Sequence, residues 1–186
     1  MSTEPSDLLA RFQEGDPSAF NELVQEMGPR LKGYFFRQGA QSTTAEDLVQ
    51  HVFLKAFQSR SRYQESGRLD AYLLRIARNL WIDHCRRRRP LTLGESFPEE
   101  VDTAPSPWEE GHAQDRAQLL HAALDRLDDP TRELVELAIF QQLPYREVGE
   151  IMNIPVGTVK SRVHYVLQKL RLQLQPVLGL DLENDL

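Results

Sequence analysis

Cysteine is nearly absent: Cys85 is alone among 186 residues, so no intrachain disulfide can form, which fits a reducing, cytoplasmic setting. No apolar run approaches the ~20 residues of a membrane span. The start, MSTEPSDLLARF, is acidic and amphipathic and does not read as a secretory leader. There is no internal repeat and no strand-like alternation of any length. A glycine-rich phosphate loop, a nucleophile elbow and an HExxH pair are all missing, and no pattern places two acids on one pocket. Catalysis, a cofactor and a small-molecule substrate are therefore not expected. His84 adjoins Cys85, but neighbours on a helix point about 100° apart. No second cysteine or spaced histidine pair accompanies them, so no metal is expected either.

The net charge of −6 lacks the positive excess of a simple nucleic-acid binder, but its distribution is uneven. From Arg68 to Arg89 there are seven arginines against Asp70 and Asp83. From Glu95 to Asp115 there are seven acids and no base. The chain thus runs basic, acidic, basic.

Periodicity predicts helices throughout residues 1–89. Asp7 to Glu14 forms a short helix closed near Gly15. Asp16 caps and Pro17 opens a second, with Phe20, Leu23, Val24 and Met27 at helical spacing. Pro29 to Gln38 reads as a separate third segment ended by Gly39. Thr43 or Thr44 caps a fourth, with Leu48, Val49, Val52, Phe53, Ala56 and Phe57 as its apolar face. Arg60 to Gly67 is a polar loop. Leu69 to Arg88 is a fifth helix, buried through Leu69, Tyr72, Leu73, Ile76 and Leu80. Residues 90–113 hold four prolines in an acidic stretch and read as a flexible linker. Helix resumes over Ala117–Leu127, and another runs from Asp128-Asp129-Pro130 to about Phe140. The expected architecture is all-α: two small helical domains, 1–89 and 114–171, joined by the linker and followed by a tail, 172–186.

The stretch from Leu143 to Arg171 carries the sharpest signal. It reads as two short helices joined by a tight turn. Val148 and Ile151 are the apolar points of the first. Asn153 stands where the turn needs a positive φ, which Asn tolerates. Pro155 then starts the second helix. Val159, Val163, Val166, Leu167 and Leu170 form its buried stripe. Gly157, Ser161, His164, Tyr165 and Gln168 face the other way, flanked by Lys160 and Arg162. From Pro155 to Arg171 there are four Lys or Arg and no acid. Such a helix suits a DNA major groove. An ordinary surface helix of a bundle is the plain alternative.

The fifth helix ends in Arg86-Arg87-Arg88-Arg89. A charge run is usually a solvated helix end. Here Arg75 and Arg78, with Asn79 at the edge, extend it along one face. Arginines bind phosphates whatever the sequence. Tyr63, Tyr72 and Trp81 add planes on which unpaired bases can stack; Tyr72 is expected in the core and Trp81 at the surface. The fourth helix differs. Asp47 and Gln50 lie three residues apart on one side, which suits a protein-docking face or simply a solvated helix start.

In this order, these parts resemble a bacterial sigma factor of the extracytoplasmic-function group, in the sigma-70 family. The likeness spans about Asp7 to Arg171. It rests on LLARFQEGDPSAFNELV, AEDLVQHVFLKAF, RLDAYLLRIARNLWIDHCRRRR and the block from LDRLDDPTRELVELAIF to PVGTVKSRVHYVLQKLR. The resemblance implies a transcription initiation factor that binds RNA polymerase core, selects promoters and helps open them. Its implied partners are the clamp and flap regions of the polymerase, promoter DNA and an anti-sigma factor. Asp47, Leu48, Gln50 and Phe53 would dock on core. The loop from Tyr63 to Arg68 would form a pocket for a flipped base of the minus-ten element, and Arg75, Arg78, Asn79, Asp83 and Arg86 would line the melted strand. Arg132, Tyr145 and Thr158 would hold phosphates of the minus-thirty-five element, with Arg162 on the flank. Lys160, Ser161, His164 and Tyr165 would face its bases. The chain departs from the family pattern at His51 (usually Glu), Leu69 (Phe), Tyr72 (Trp), Leu74 (Tyr) and Tyr165 (commonly Arg), and its tail fits no family motif. A stand-alone helix-turn-helix regulator, which would not need the RIARN–Arg helix, and an interaction protein whose basic patches serve only solubility and pairing are the rival readings.

Overall fold

The computed structural model describes residues 8–63, 68–88, 122–124 and 126–178. The expected linker 90–113, the loop interior 64–67, residues 114–121 and the end of the tail, 179–186, lie outside them. The chain divides into two compact units, residues 1–101 and 102–186. Every described element is helical, and none of the described helices is long and apolar enough to cross a membrane.

The first unit holds α1 (Leu8–Gln13), α2 (Pro17–Arg37), α3 (Ser42–Ser59), a 3₁₀ turn (Arg60–Arg62) and α4 (Leu69–Arg88). Asp16 caps α2 as its sequence predicts: its carboxylate accepts from the Ser18 N–H at 3.0 Å and the Ser18 hydroxyl at 2.6 Å. That hydroxyl, and then the Arg11 guanidinium, hold the Asp16 pKa down at about 2. Leu23, Met27, Leu31, Tyr34 and Phe35 bury one face of α2. Phe12, Phe20, Phe53 and Phe57 join α1, α2 and α3, with ring centroids 5.1–6.4 Å apart.

Four local expectations for this unit are corrected. Pro29 does not open a new segment but lies inside α2. It removes the bond to the Gln25 carbonyl, yet both residues lie on the exposed side, and burial on either side keeps the helix whole. Neither Thr43 nor Thr44 caps α3; Gln41 is the N-cap, with no side-chain cap bond. On α4 the buried side is turned by about one residue. Asp70, Ala71, Leu73, Leu74, Ala77 and Leu80 are buried, while Leu69, Tyr72 and Ile76 are half-buried. An acid can face inward because Arg68 grips Asp70 with two bonds of 2.7 and 3.0 Å, and Arg30 lies 3.6 Å away. Trp81, expected at the surface, is half-buried and stacks on His84 at 5.5 Å.

In the second unit, helical residues 122–124 precede α5 (Asp129–Val135), a π-helical turn (Glu136–Phe140), α6 (Tyr145–Met152) and α7 (Val156–Leu178). Ala123, Leu124, Leu127, Val135, Val166 and Leu170 form its core. The buried Glu136 accepts from the buried Gln141 amide at 2.8 Å, so the acid inside the π-turn is satisfied locally. Leu167, expected in the buried stripe, is 43% exposed. The covered seam is the narrower 159–163–166–170 series, spaced four, three and four, and Leu167 lies one helical step outside it.

Candidate nucleic-acid interface

The turn between α6 and α7 is built for close approach. Asn153 adopts φ 55° and ψ 48°, the left-handed conformation its position called for. The Ile154 N–H then returns to the Gly149 carbonyl at 2.9 Å, and the Pro155 carbonyl accepts from the Thr158 and Val159 N–H groups. Any Cβ on Gly149 would sit 2.8 Å from the Ile154 carbonyl oxygen. Val148, Ile151, Val159 and Val163 are buried behind this turn. Helix α7 therefore has one fixed face and one open face.

The open face carries Gly157, Lys160, Ser161, Arg162, His164, Tyr165 and Gln168, all exposed, Tyr165 by 69%. Ser161 donates to the Thr158 carbonyl at 3.1 Å, and His164 and Gln168 meet at 3.0 Å. Thr158 and Tyr145 are half-buried at the starts of α7 and α6. Arg132 is placed differently. Its guanidinium donates to the carbonyls of Leu124 at 3.3 Å and Leu127 at 3.2 Å, with 17% of its side chain exposed. It ties the preceding helix end to α5.

In the first unit, Arg75, Asn79, Asp83 and Arg86 are exposed and Arg78 half-buried along α4. Arg87 reaches back to the Asp83 carbonyl at 3.2 Å. Arg68 is exposed but held by Asp70. Tyr63 packs its ring 4.8 Å from that of Tyr72, whose hydroxyl meets Ser59 Oγ at 2.7 Å. Beside this pair opens a cleft of about 410 Å³, lined by Lys55, Gln58, Ser59, Ser61, Tyr72 and Ile76. Sequence reading passed over the α3 residues of this cleft. Lys55 and Ser59 stand four apart and share a helix face, a polar signal the spacing alone contained. On α3, Asp47 and Gln50 are exposed, whereas Leu48 and Phe53 are buried in the core. Among the described residues no cluster of three His, Cys, Asp or Glu could hold a metal ion.

A helix-turn-helix with an acid-free outward face, and a separate arginine-bearing helix beside a cleft walled by Tyr72, suit contact with nucleic acid. Residues 23–90 match the family model for Sigma-70 region 2, and residues 123–172 that for Sigma-70, region 4. The chain is 34% identical over 177 residues to the ECF RNA polymerase sigma factor SigE of Mycolicibacterium smegmatis, covering 91% of this chain and 68% of that protein. It is 31% identical to the ECF RNA polymerase sigma factor RpoE of Cereibacter sphaeroides, covering 84% of this chain and 86% of that one. Among solved structures it resembles the sigma factor RpoE of Bartonella quintana, in complex with the anti-sigma factor NepR. The TM-score is 0.63 at 26% identity, over 87% of this chain and 98% of the other. The chain belongs to the extracytoplasmic-function sigma factors of the sigma-70 family, which are transcription initiation factors.

Proposed function

We propose that this chain binds RNA polymerase core in the cytoplasm, directs it to particular promoters and assists strand opening, making and breaking no covalent bond itself. The observation that carries this reading is the pairing of two exposed basic faces with different surroundings. Helix α7 presents polar side chains on a rigid, apolar-backed helix, which suits base edges in a major groove. Helix α4 presents Arg75, Arg78, Asn79, Asp83 and Arg86 beside two tyrosines packed at a tilt and an open polar cleft, which suits unpaired bases. Lys160, Ser161, His164 and Tyr165 read the minus-thirty-five element. Arg162, Thr158 and Tyr145 hold its phosphates, and Arg132 contributes by bracing α5. The cleft at Tyr63 and Tyr72 takes a base of the minus-ten element. Asp47 and Gln50 touch the polymerase clamp, supported from behind by Leu48 and Phe53.

An anti-sigma factor holds the chain inactive until a signal releases it. The support is the Bartonella quintana relative, solved with NepR, together with Val24, Leu54 and Phe57, which expose 38–51% of large apolar side chains. Run-off transcription with purified core, with and without this chain, on templates carrying selected promoter sequences is the test. Promoter-specific transcripts that require the chain are expected. Tight sequence-specific DNA binding with no effect on core transcription would instead establish a stand-alone regulator.

A further inference from the structure

Helix α1 carries none of the roles assigned above, yet it reaches the surface that faces unpaired DNA. Gln13, its last residue, donates its side-chain amide to the carbonyls of Arg60 and, at 3.1 Å, of Tyr63, which is 50 positions away in sequence. These two carbonyls bracket the 3₁₀ turn that delivers Tyr63. The Tyr63 N–H also returns to the Arg60 carbonyl at 3.1 Å, so Gln13 closes a small ring of backbone bonds. Next to it, Phe12 packs 5.7 Å from Phe57. The Arg60 guanidinium covers both rings, 4.3 Å from Phe57 and 5.9 Å from Phe12. On the far side of the turn, Tyr63 meets Tyr72 at the wall of the cleft.

Gln13 is exposed, so its amide gains little by burial. What it supplies is a primary amide whose nitrogen donates to both carbonyls, adding to the backbone bond that the Arg60 carbonyl already accepts from Tyr63. A primary amide can do this at neutral charge; a carboxylate cannot, because it only accepts.

We propose that Gln13 is a positioning residue for promoter opening: by holding the Arg60 and Tyr63 carbonyls it sets the Tyr63 ring against Tyr72 in the orientation that receives an unpaired base. This inference rests on the role given above to Tyr63.

The test uses holoenzyme on a promoter the chain supports. Gln13→Glu keeps the side-chain length and removes the donor. Gln13→Met does the same without adding charge. For both, permanganate reactivity of unpaired thymines should fall roughly 3- to 10-fold, the range for losing one or two neutral hydrogen bonds. Core affinity and closed-complex formation in the cold should stay at the parent level. In a Tyr63→Ala background, neither substitution should reduce opening further, because the group being positioned is gone. Parental opening in either variant, an equal loss in both backgrounds, or a matching loss of core affinity would overturn the inference. Normal opening by Tyr63→Ala itself would instead remove the role of Tyr63, a result separate from failure at Gln13.

Discussion

Gly149→Ala tests the turn that aims the recognition helix, and its sign depends on two opposed terms. In a helix interior Ala is favoured over Gly by ~1 kcal/mol, so secondary structure alone predicts stabilisation. The tertiary contact predicts the reverse. The new Cβ would lie 2.8 Å from the Ile154 carbonyl oxygen, where ordinary carbon–oxygen contacts begin near ~3.3 Å. Backbone must move by about half an ångström, and the Ile154–Gly149 hydrogen bond, now 2.9 Å, sits on the segment that moves. Overpacking of this kind costs ~1–3 kcal/mol, and the weakened bond adds ~1 kcal/mol. The net is destabilisation of about 2 kcal/mol, or ~8–16 °C for a unit of this size. Gly157→Ala is the internal control. A Cβ there meets nothing within 4 Å, so it should raise the same transition by a few degrees. Calorimetry of the full chain reads both. A Gly149→Ala protein that melts at or above the parent temperature would refute the account of the turn.

Alanine at Asp47 or Gln50 should weaken core-polymerase binding by ~2 kcal/mol or more if the contact is buried in the complex; a titration against purified core in which both variants match the parent excludes this docking face. On α7, Ser161→Ala should relax preference at one or two base pairs at a cost of ~1–3 kcal/mol, whereas Arg162→Ala should weaken all sequences alike and lower the salt slope by about one. Selection from randomised duplexes at two salt concentrations distinguishes them, and a changed consensus for Arg162→Ala alone would mean the base-reading face is misassigned. Asp16 has a folded pKa of about 2, below its ordinary value of 3.8, so its cap stabilises α2 fully above pH ~4 and is lost as pH falls toward 2. Asp16→Asn should therefore lower the melting temperature at neutral pH and flatten the acid limb between pH 4 and 2; an unchanged limb would show that the cap contributes no pH-dependent stability.

Much of the second unit was legible along the chain because its signals are local. Asn153 at a positive φ, Pro155 at a helix start and the valine series need only neighbours within a turn or two to be read. The Asp16-Pro17 entry is legible for the same reason. The errors fell where distant packing outweighs local preference. Pro29 reads as a break by its missing donor, yet the buried residues on either side of it hold α2 together. Leu167 reads as core by its side chain, but the helices packed on α7 cover a seam too narrow to include it.

The sequence by itself determined the all-helical class, the order of basic and acidic regions, the helix-turn-helix and the family. These follow from composition and short-range spacing, which the chain carries wherever it folds. Only the tertiary structure decided which way α4 faces, because Asp70 turns inward where α2 brings Arg30 to it beside its local partner Arg68. Only there, too, does Arg132 become a brace on the Leu124 and Leu127 carbonyls. The cleft at Tyr72 and the reach of Gln13 to Tyr63 belong to the same category. They join residues up to 50 positions apart, and no local preference encodes a contact whose partner arrives only when separate helices pack together.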